Sequence, residues 1–342
     1  MTAKEEKQEI GIGVDIGGTH ISAVALGRAA QTQSEVLCRS TRNVTERDVA
    51  TVVSLLIECI LDIDEQLRKL LGDAYDVVGI GLGVPGNVDP SVGTTRYLPN
   101  FGWLEPVPLR ALLVKELSSK LNRCCAKDAL TVEMRNDGRC AAIAEYTFGS
   151  GRGVQVFSML TLGTGIGGAL ILNGKLFDGC SFDAGDFGHH VIRSDKDALE
   201  CVCGKRGCFE TQASALGLVK QFNRQPGAVE CCLGLESKGH DARGVLLKLR
   251  AGEPAAVAAW DQYLDDLTTG LANLVTFYNP SVIALGGGFG QADEIYAGDA
   301  ARIRIDAKSL PASRGRVRLV PAELGNGAGA IGAALLALGR GI

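Results

Sequence analysis

Apolar residues alternate with small or polar ones, or run unbroken, through the stretch IGIGVDIGGTHISAVALG that opens at Ile10. A single interruption at Gly17-Gly18-Thr19 predicts a strand, a glycine turn and a second strand. Residues 35–43 read as a third strand. From Thr45 to Leu71 the period lengthens to that of an amphipathic helix, opening at a Thr-Glu-Arg-Asp cap region. YDVVGIGLGVPG, beginning at Tyr75, predicts a buried strand ended by a Pro-Gly turn. A helix over 107–121 and a short strand TVEMRND, closed by Asn136-Asp137, complete the first half.

The second half repeats this opening. VFSMLTLGTGIGGALILNGKL is again strand, glycine turn, strand, so Thr161–Gly165 stands where Asp15–Thr19 stood. A helix over 255–278, a strand in PSVIALGGG, another in RVRLVPAEL and a small-residue terminal helix follow. The pattern predicts a duplicated α/β chain. Its first domain covers 9–134, and its second covers 135–326 and carries a loop at 185–210.

The length of 342 residues suits two such domains, and 46% hydrophobic with 22% charged residues describes a globular chain. A net charge of −4 argues against a surface built for nucleic acid and favours small-molecule partners. MTAKEEKQEI lacks a signal-peptide core and no membrane-length apolar run follows, so a cytoplasmic protein without membrane contact is expected. Glycine, at 45 residues, clusters in motifs that imply close backbone approach to ligands. The eleven cysteines should be reduced thiols in such a setting. Cys38, Cys59, Cys140 and Cys180 read as small buried hydrophobes, and the neighbours Cys124/Cys125 and Cys231/Cys232 as unbonded pairs.

Asp15-Ile-Gly-Gly-Thr19 has the make-up of a phosphate turn. Gly17 and Gly18 let backbone amides approach phosphate oxygens, Thr19 adds a hydroxyl, and Asp15 can hold the water shell of Mg²⁺. A plain hairpin turn is the alternative, and the matching turn with Thr164 and Gly165 weighs against it. Gly287 and Gly288, at the end of IALGGG, lack dinucleotide-fingerprint spacing but could line the same ligand. Asn136-Asp137 places an orienting amide and a proton acceptor together. An alcohol is too weak an acid to ionise at neutral pH, so an aspartate that takes its proton as a phosphoryl group arrives answers that need.

Between residues 185 and 210 runs GDFGHH, then CVCGKRGCFE. Three thiolates, Cys201, Cys203 and Cys208, with one imidazole make a closed tetrahedral zinc set that leaves no place for a catalytic water, hence a structural metal. His189 and His190 both qualify by position. Asp186 and Glu210 flank the loop as acceptors for hydroxyl groups, and His20 and His240 are read as ordinary.

DIGGTH, GVPGNVDP, PNFGW, RNDGRCAA, LGTGIGG, AGDFGHH and CVCGKRGCFE together resemble the ROK family, named for repressors, open reading frames and kinases. The resemblance implies two duplicated actin-like ATPase (ribonuclease H-like) domains flanking a cleft, the first completed by the terminal helix at 327–342. It also implies a homodimer and transfer of phosphate from MgATP to the 6-hydroxyl of a hexose or N-acetylhexosamine, with glucose or N-acetylmannosamine foremost. On that register Asp137 is the base; Gly86, Asn136, Asp186, His189 and Glu210 line the sugar; and His189, Cys201, Cys203 and Cys208 hold zinc. The chain departs from the family in two places. Asp186 stands where the family usually has Glu, and the His189-to-Cys201 interval is about two residues longer than usual, which keeps His190 as an alternative ligand. A sugar-responsive repressor of the same family is the competing reading; with fourteen residues before Asp15 and an intact Asp137, the kinase is expected instead.

Overall fold

The computed structural model describes residues 7–98, 101–118, 120–121, 130–196, 198–228 and 242–340. Pro99 and Asn100 of PNFGW, both vicinal cysteine pairs and His240 lie outside the described residues. The chain forms two compact units: Met1–Arg152 with Gly174–Ala184 and Leu324–Ile342, and Gly153–Asn173 with Gly185–Glu323.

The first unit is built on strands β1 (Gln8–Ile16), β2 (His20–Gly27), β3 (Val36–Asn43), β4 (Tyr75–Val84) and β7 (Val132–Asn136), in the order β3-β2-β1-β4-β7. A small hairpin of β5 (Asn87–Asp89) and β6 (Thr94–Tyr97) leaves the end of β4. β1 pairs antiparallel with β2, whereas β4 runs parallel to both β1 and β7. Helix α1 (Val49–Leu71) starts where the Asp48 carboxylate accepts the Thr51 N–H at 3.0 Å, and its stripe of Val52, Leu56, Ile60 and Ile63 is buried in the same core as Ile12 and Leu82. α2 (Leu109–Leu117) is shorter than the expected 107–121 span.

After β7 comes α3 (Asp137–Phe148), which the alternation did not predict. It packs with the terminal helix (Ala328–Ala337) in a cluster containing Val24, Leu26, Ile143, Phe148, Ile331 and Leu335. That shared core keeps α3 in the first unit, so the division between units falls after Arg152 and not at 134/135.

In the second unit β8 (Val156–Leu162) and β9 (Ile166–Leu172) form an antiparallel hairpin, followed in the chain by the two-residue β10 (Lys175–Leu176). β11 (Val282–Gly286) lies parallel between β8 and β12 (Arg318–Pro321), so the order β9-β8-β11-β12 repeats β2-β1-β4-β7. Helices α4 (Phe209–Ala213), α5 (Ala215–Asn223), α6 (Ala242–Arg250) and α7 (Pro254–Tyr278) enclose a separate core around Phe209, Phe222, Tyr263, Leu271 and Ile283. The duplicated α/β plan expected from the two strand-turn-strand openings is the observed one. Cys38, Cys59 and Cys140 are buried thiols as expected, but Cys180 is exposed on the Gly179–Ser181 loop. Among the described residues no helix is long and apolar enough to cross a membrane.

Candidate functional site

In the first unit, the chain leaves β1 through Gly17, Gly18 and Thr19. The Gly17 N–H donates to the His20 carbonyl at 2.9 Å, and a Cβ on Gly17 would sit 2.8 Å from that oxygen. Gly18 and Thr19 are exposed at the tip; the Arg47 guanidinium donates to the Gly18 carbonyl at 3.0 Å, and the Thr19 hydroxyl lies 2.7 Å from His20 Nδ1. His20 itself opens β2.

Asp15 lies one residue before the end of β1. Although the side chain keeps some exposure, its Oδ1 is buried and has no hydrogen-bond partner. Two glycines make the room: a Cβ on Gly329 would lie 2.6 Å from the Asp15 carboxyl, and one on Gly83 would lie 3.1 Å from Oδ1 and 3.6 Å from the Asp137 Cα. Burial, and then the charge of Asp137, pushes the Asp15 carboxyl up to about 7.

Asn136 ends β7 and caps α3. Its Oδ1 accepts the Arg139 N–H at 3.3 Å while its Nδ2 donates to the Gly86 carbonyl at 3.0 Å. Asp137 is therefore the first residue of a helix, where its Oδ1 accepts the Gly138 N–H at 2.8 Å. Burial raises its carboxyl above the usual range, partly opposed by that N–H. The donorless Oδ1 of Asp15 beside a second acid has the oxygen chemistry to accept from the water shell of Mg²⁺.

In the second unit, the β8–β9 turn is closed by the Gly163 N–H donating to the Gly165 carbonyl at 3.0 Å, with Thr164 exposed at its tip. Thr161 of β8 is paired with Gly286 of β11, so this turn and Gly287-Gly288 of α8 (Gly287–Gly290) stand at one edge of the sheet. Gly287 has φ +76°, and a Cβ there would come 2.5 Å from the Leu162 carbonyl; Gly288 faces open space.

The ligand atoms of His189, Cys201, Cys203 and Cys208 all lie within 4.8 Å of one another. The Nδ1 of His189 is 3.6 Å from the Cys201 sulfur, and the Cys203 and Cys208 sulfurs are 3.6 Å apart. Tetrahedral zinc bonds of about 2.3 Å to sulfur and about 2.0 Å to nitrogen require edges of roughly 3.5–3.8 Å, the spacing of those two pairs, and the donor chemistry of the four side chains suits the ion. His190 is turned elsewhere. Its Nδ1 is 2.6 Å from the Phe187 carbonyl, its ring packs on Phe209 with centroids 5.1 Å apart, and burial lowers its pKa. Of the two candidate histidines the structure gathers His189.

Asp186 is exposed and precedes the 3-10 turn Phe187–His189, whose last N–H donates to the Asp186 carbonyl at 3.1 Å. Glu210, in α4, uses Oε2 to accept the Ile166 N–H at 2.9 Å. Sequence reasoning missed Gly83 and Gly329, whose missing side chains admit Asp15, and Arg139, a buried cation donating to the Phe182 carbonyl and, at 2.8 Å, to that of Ala184. RNDGRCAA contained Arg139, but nothing in its spacing marked a buried charge.

The profile of the ROK family matches residues 11–340. A glucokinase of Streptomyces coelicolor is 32% identical over 95% of this chain and 96% of its own length. The N-acetylgalactosamine kinase AgaK of Shewanella sp. is 30% identical over 96% of each. A ROK family glucokinase from Streptomyces griseus, solved with glucose and AMPPNP, superposes with a TM-score of 0.69 at 29% identity, covering 96% of this chain and 98% of its own.

Proposed function

The chain belongs to the ROK family, and from that premise we propose that it is an ATP-dependent carbohydrate kinase acting on the 6-hydroxyl of glucose or N-acetylmannosamine. Asp137 carries the reading. A carboxylate whose proton affinity is raised by burial, held by a helix start at the end of β7, is a fit acceptor for an alcohol proton. In the proposed step O6 bonds to the γ-phosphorus, the bond from that phosphorus to the ADP oxygen breaks, and the hydroxyl proton passes to Asp137. Asn136 and Gly86 would hold the neighbouring hydroxyl, and Asp186, His189 and Glu210 would recognise the rest of the sugar, Glu210 through Oε1 because Oε2 is engaged.

Gly17, Gly18 and Thr19, and Thr164, Gly165, Gly287 and Gly288, would carry the nucleotide on backbone amides and hydroxyls. Mg²⁺ arriving with the nucleotide would neutralise phosphate charge, with Asp15 accepting from its water shell. Zinc on His189, Cys201, Cys203 and Cys208 would be structural, since four protein ligands leave no open position. A cytoplasmic homodimer is part of the same proposal.

The test is ADP release with glucose, N-acetylmannosamine, N-acetylglucosamine, N-acetylgalactosamine, mannose and fructose. Glucose or N-acetylmannosamine should give the highest kcat/KM, and Asp137→Asn should lower kcat at least about a hundredfold with little change in sugar affinity. Release no faster with any sugar than without refutes the kinase; undiminished turnover in the variant refutes the base.

A further inference from the structure

The segments that carry two of the zinc ligands also build the β8–β9 turn. Cys208 is the N-cap of α4, a helix of five residues, and Glu210 follows it by two. The Glu210 Oε2 accepts the Ile166 N–H at 2.9 Å, so the first amide after the turn is held by a carboxylate. Its head group lies where a Cβ of Gly165 would be, which leaves the turn no alternative path on that side. Beyond α4, the Ala215 N–H donates to the Gly163 carbonyl at 2.9 Å. From the other arm of the ligand set, Gly188, next to His189, is packed so closely under Ile166 that a side chain would collide with the Ile166 carbonyl; that Cβ would also lie 3.2 Å from the Glu210 Cβ. The turn is thus gripped at Gly163, Gly165 and Ile166 by residues one to seven positions from a zinc ligand.

We propose that Glu210 is a positioning residue through which zinc sets the shape of the Gly163–Gly165 turn, so that metal occupancy and nucleotide affinity are coupled. The inference rests on the kinase reading, in which that turn receives ATP. Zinc fixes the Cys208 end of α4, α4 fixes the Glu210 carboxylate, and the carboxylate fixes the Ile166 amide. Without the metal the arm bearing Cys201, Cys203 and Cys208 loses its cross-link, and the turn loses its anchor. Linkage makes the effect reciprocal, so bound nucleotide must tighten zinc by the same factor that zinc tightens nucleotide.

Calorimetric titration of the full chain with AMPPNP and Mg²⁺, without sugar, tests this. Stripping zinc with a chelator should weaken AMPPNP binding by about tenfold, and saturating AMPPNP should raise zinc affinity, read by competition with a chelating dye, by about the same factor. In zinc-loaded protein Glu210→Ala should weaken AMPPNP by about tenfold and remove the dependence on zinc, whereas Glu210→Gln, which keeps an oxygen acceptor for the Ile166 amide, should stay within about threefold of the parent. Equal AMPPNP affinity in loaded and stripped parent protein overturns the coupling, as does full zinc dependence in Glu210→Ala. If the stripped chain does not stay folded, the two loaded variants decide, and equal affinities for Ala and Gln overturn it. Loaded parent protein that binds no AMPPNP sinks the kinase reading as well, a result distinct from binding without coupling.

Discussion

A carboxyl group enclosed as Asp15 is, with an oxygen that no donor reaches, holds its proton more tightly in the folded chain than in the unfolded one. Its pKa rises from the model-peptide value of 3.8 to about 7, so between those limits the folded protein binds more protons and stability falls as pH rises. Below the lower limit both states are protonated and the effect vanishes; above about 7 it is complete, at as much as roughly 4 kcal/mol. Asp15→Asn, which cannot ionise, should therefore gain stability over the parent between pH 5 and pH 8 when unfolded without Mg²⁺ or nucleotide, the gain levelling off above about 7. A gain that does not vary with pH would show that the charge of Asp15 is not the cause. The sequence made Asp15 legible as a phosphate-turn acid, but not its surroundings, because Gly83 and Gly329 arrive from distant parts of the chain. His189 and His190 both qualified by position, and only the family resemblance favoured His189, for the same kind of reason: the 3-10 turn and the Phe209 ring separate their directions.

At the scale of elements, the glycine surplus has two jobs where the sequence suggested one. Gly18 and Gly288 leave backbone open, as a ligand turn requires. Gly13 and Gly81 instead lie under the terminal helix, where a Cβ would collide with the carbonyls of Ala330 and Ala333, and Gly332 of that helix is pressed in the same way on Cys140. The sheet approaches the terminal helix so closely that it can carry no side chain at Gly13 or Gly81, and the helix can carry none at Gly332, where it meets α3. Gly81→Ala should cost at least about 1–3 kcal/mol in urea unfolding with an unchanged slope, while Gly288→Ala, in open space, should cost well under about 1 kcal/mol. Equal effects would refute the packing role. The same burial explains why α3 was illegible. Arg139, Cys140, Ala142, Ile143, Ala144, Glu145 and Phe148 are all buried, so the helix has no polar face to set off an apolar stripe, and Glu145 is accommodated by the amides of Ser150 and Leu324 at 3.0 and 2.7 Å. β3, with its regular alternation, and α1, with its exposed back, were readable because burial there changes with a fixed period.

For the whole molecule, duplication was legible because both copies keep the strand-turn-strand opening that sets sheet order. Each copy also keeps its own core: Ile12, Leu56, Leu82 and Met134 in the first, Phe209, Phe222, Tyr263 and Ile283 in the second. Stability is then distributed by unit, and a cross-link in one unit has no direct hold on the core of the other. Zinc belongs wholly to the second, its ligands spanning His189 to Cys208, with the Arg193–Asp266 ion pair at 2.7 Å tying the base of the loop to α7. Removing the metal should release the loop and the β8–β9 turn while the Arg193 anchor keeps α7 in place. Hydrogen exchange followed by mass spectrometry after chelation should accordingly rise by at least about tenfold across 186–215 and 162–166 and stay within about twofold in β1, β2 and β4. A uniform rise through both sheets would mean that the two cores open as one, and that the metal secures the entire chain and not just a single knuckle of it.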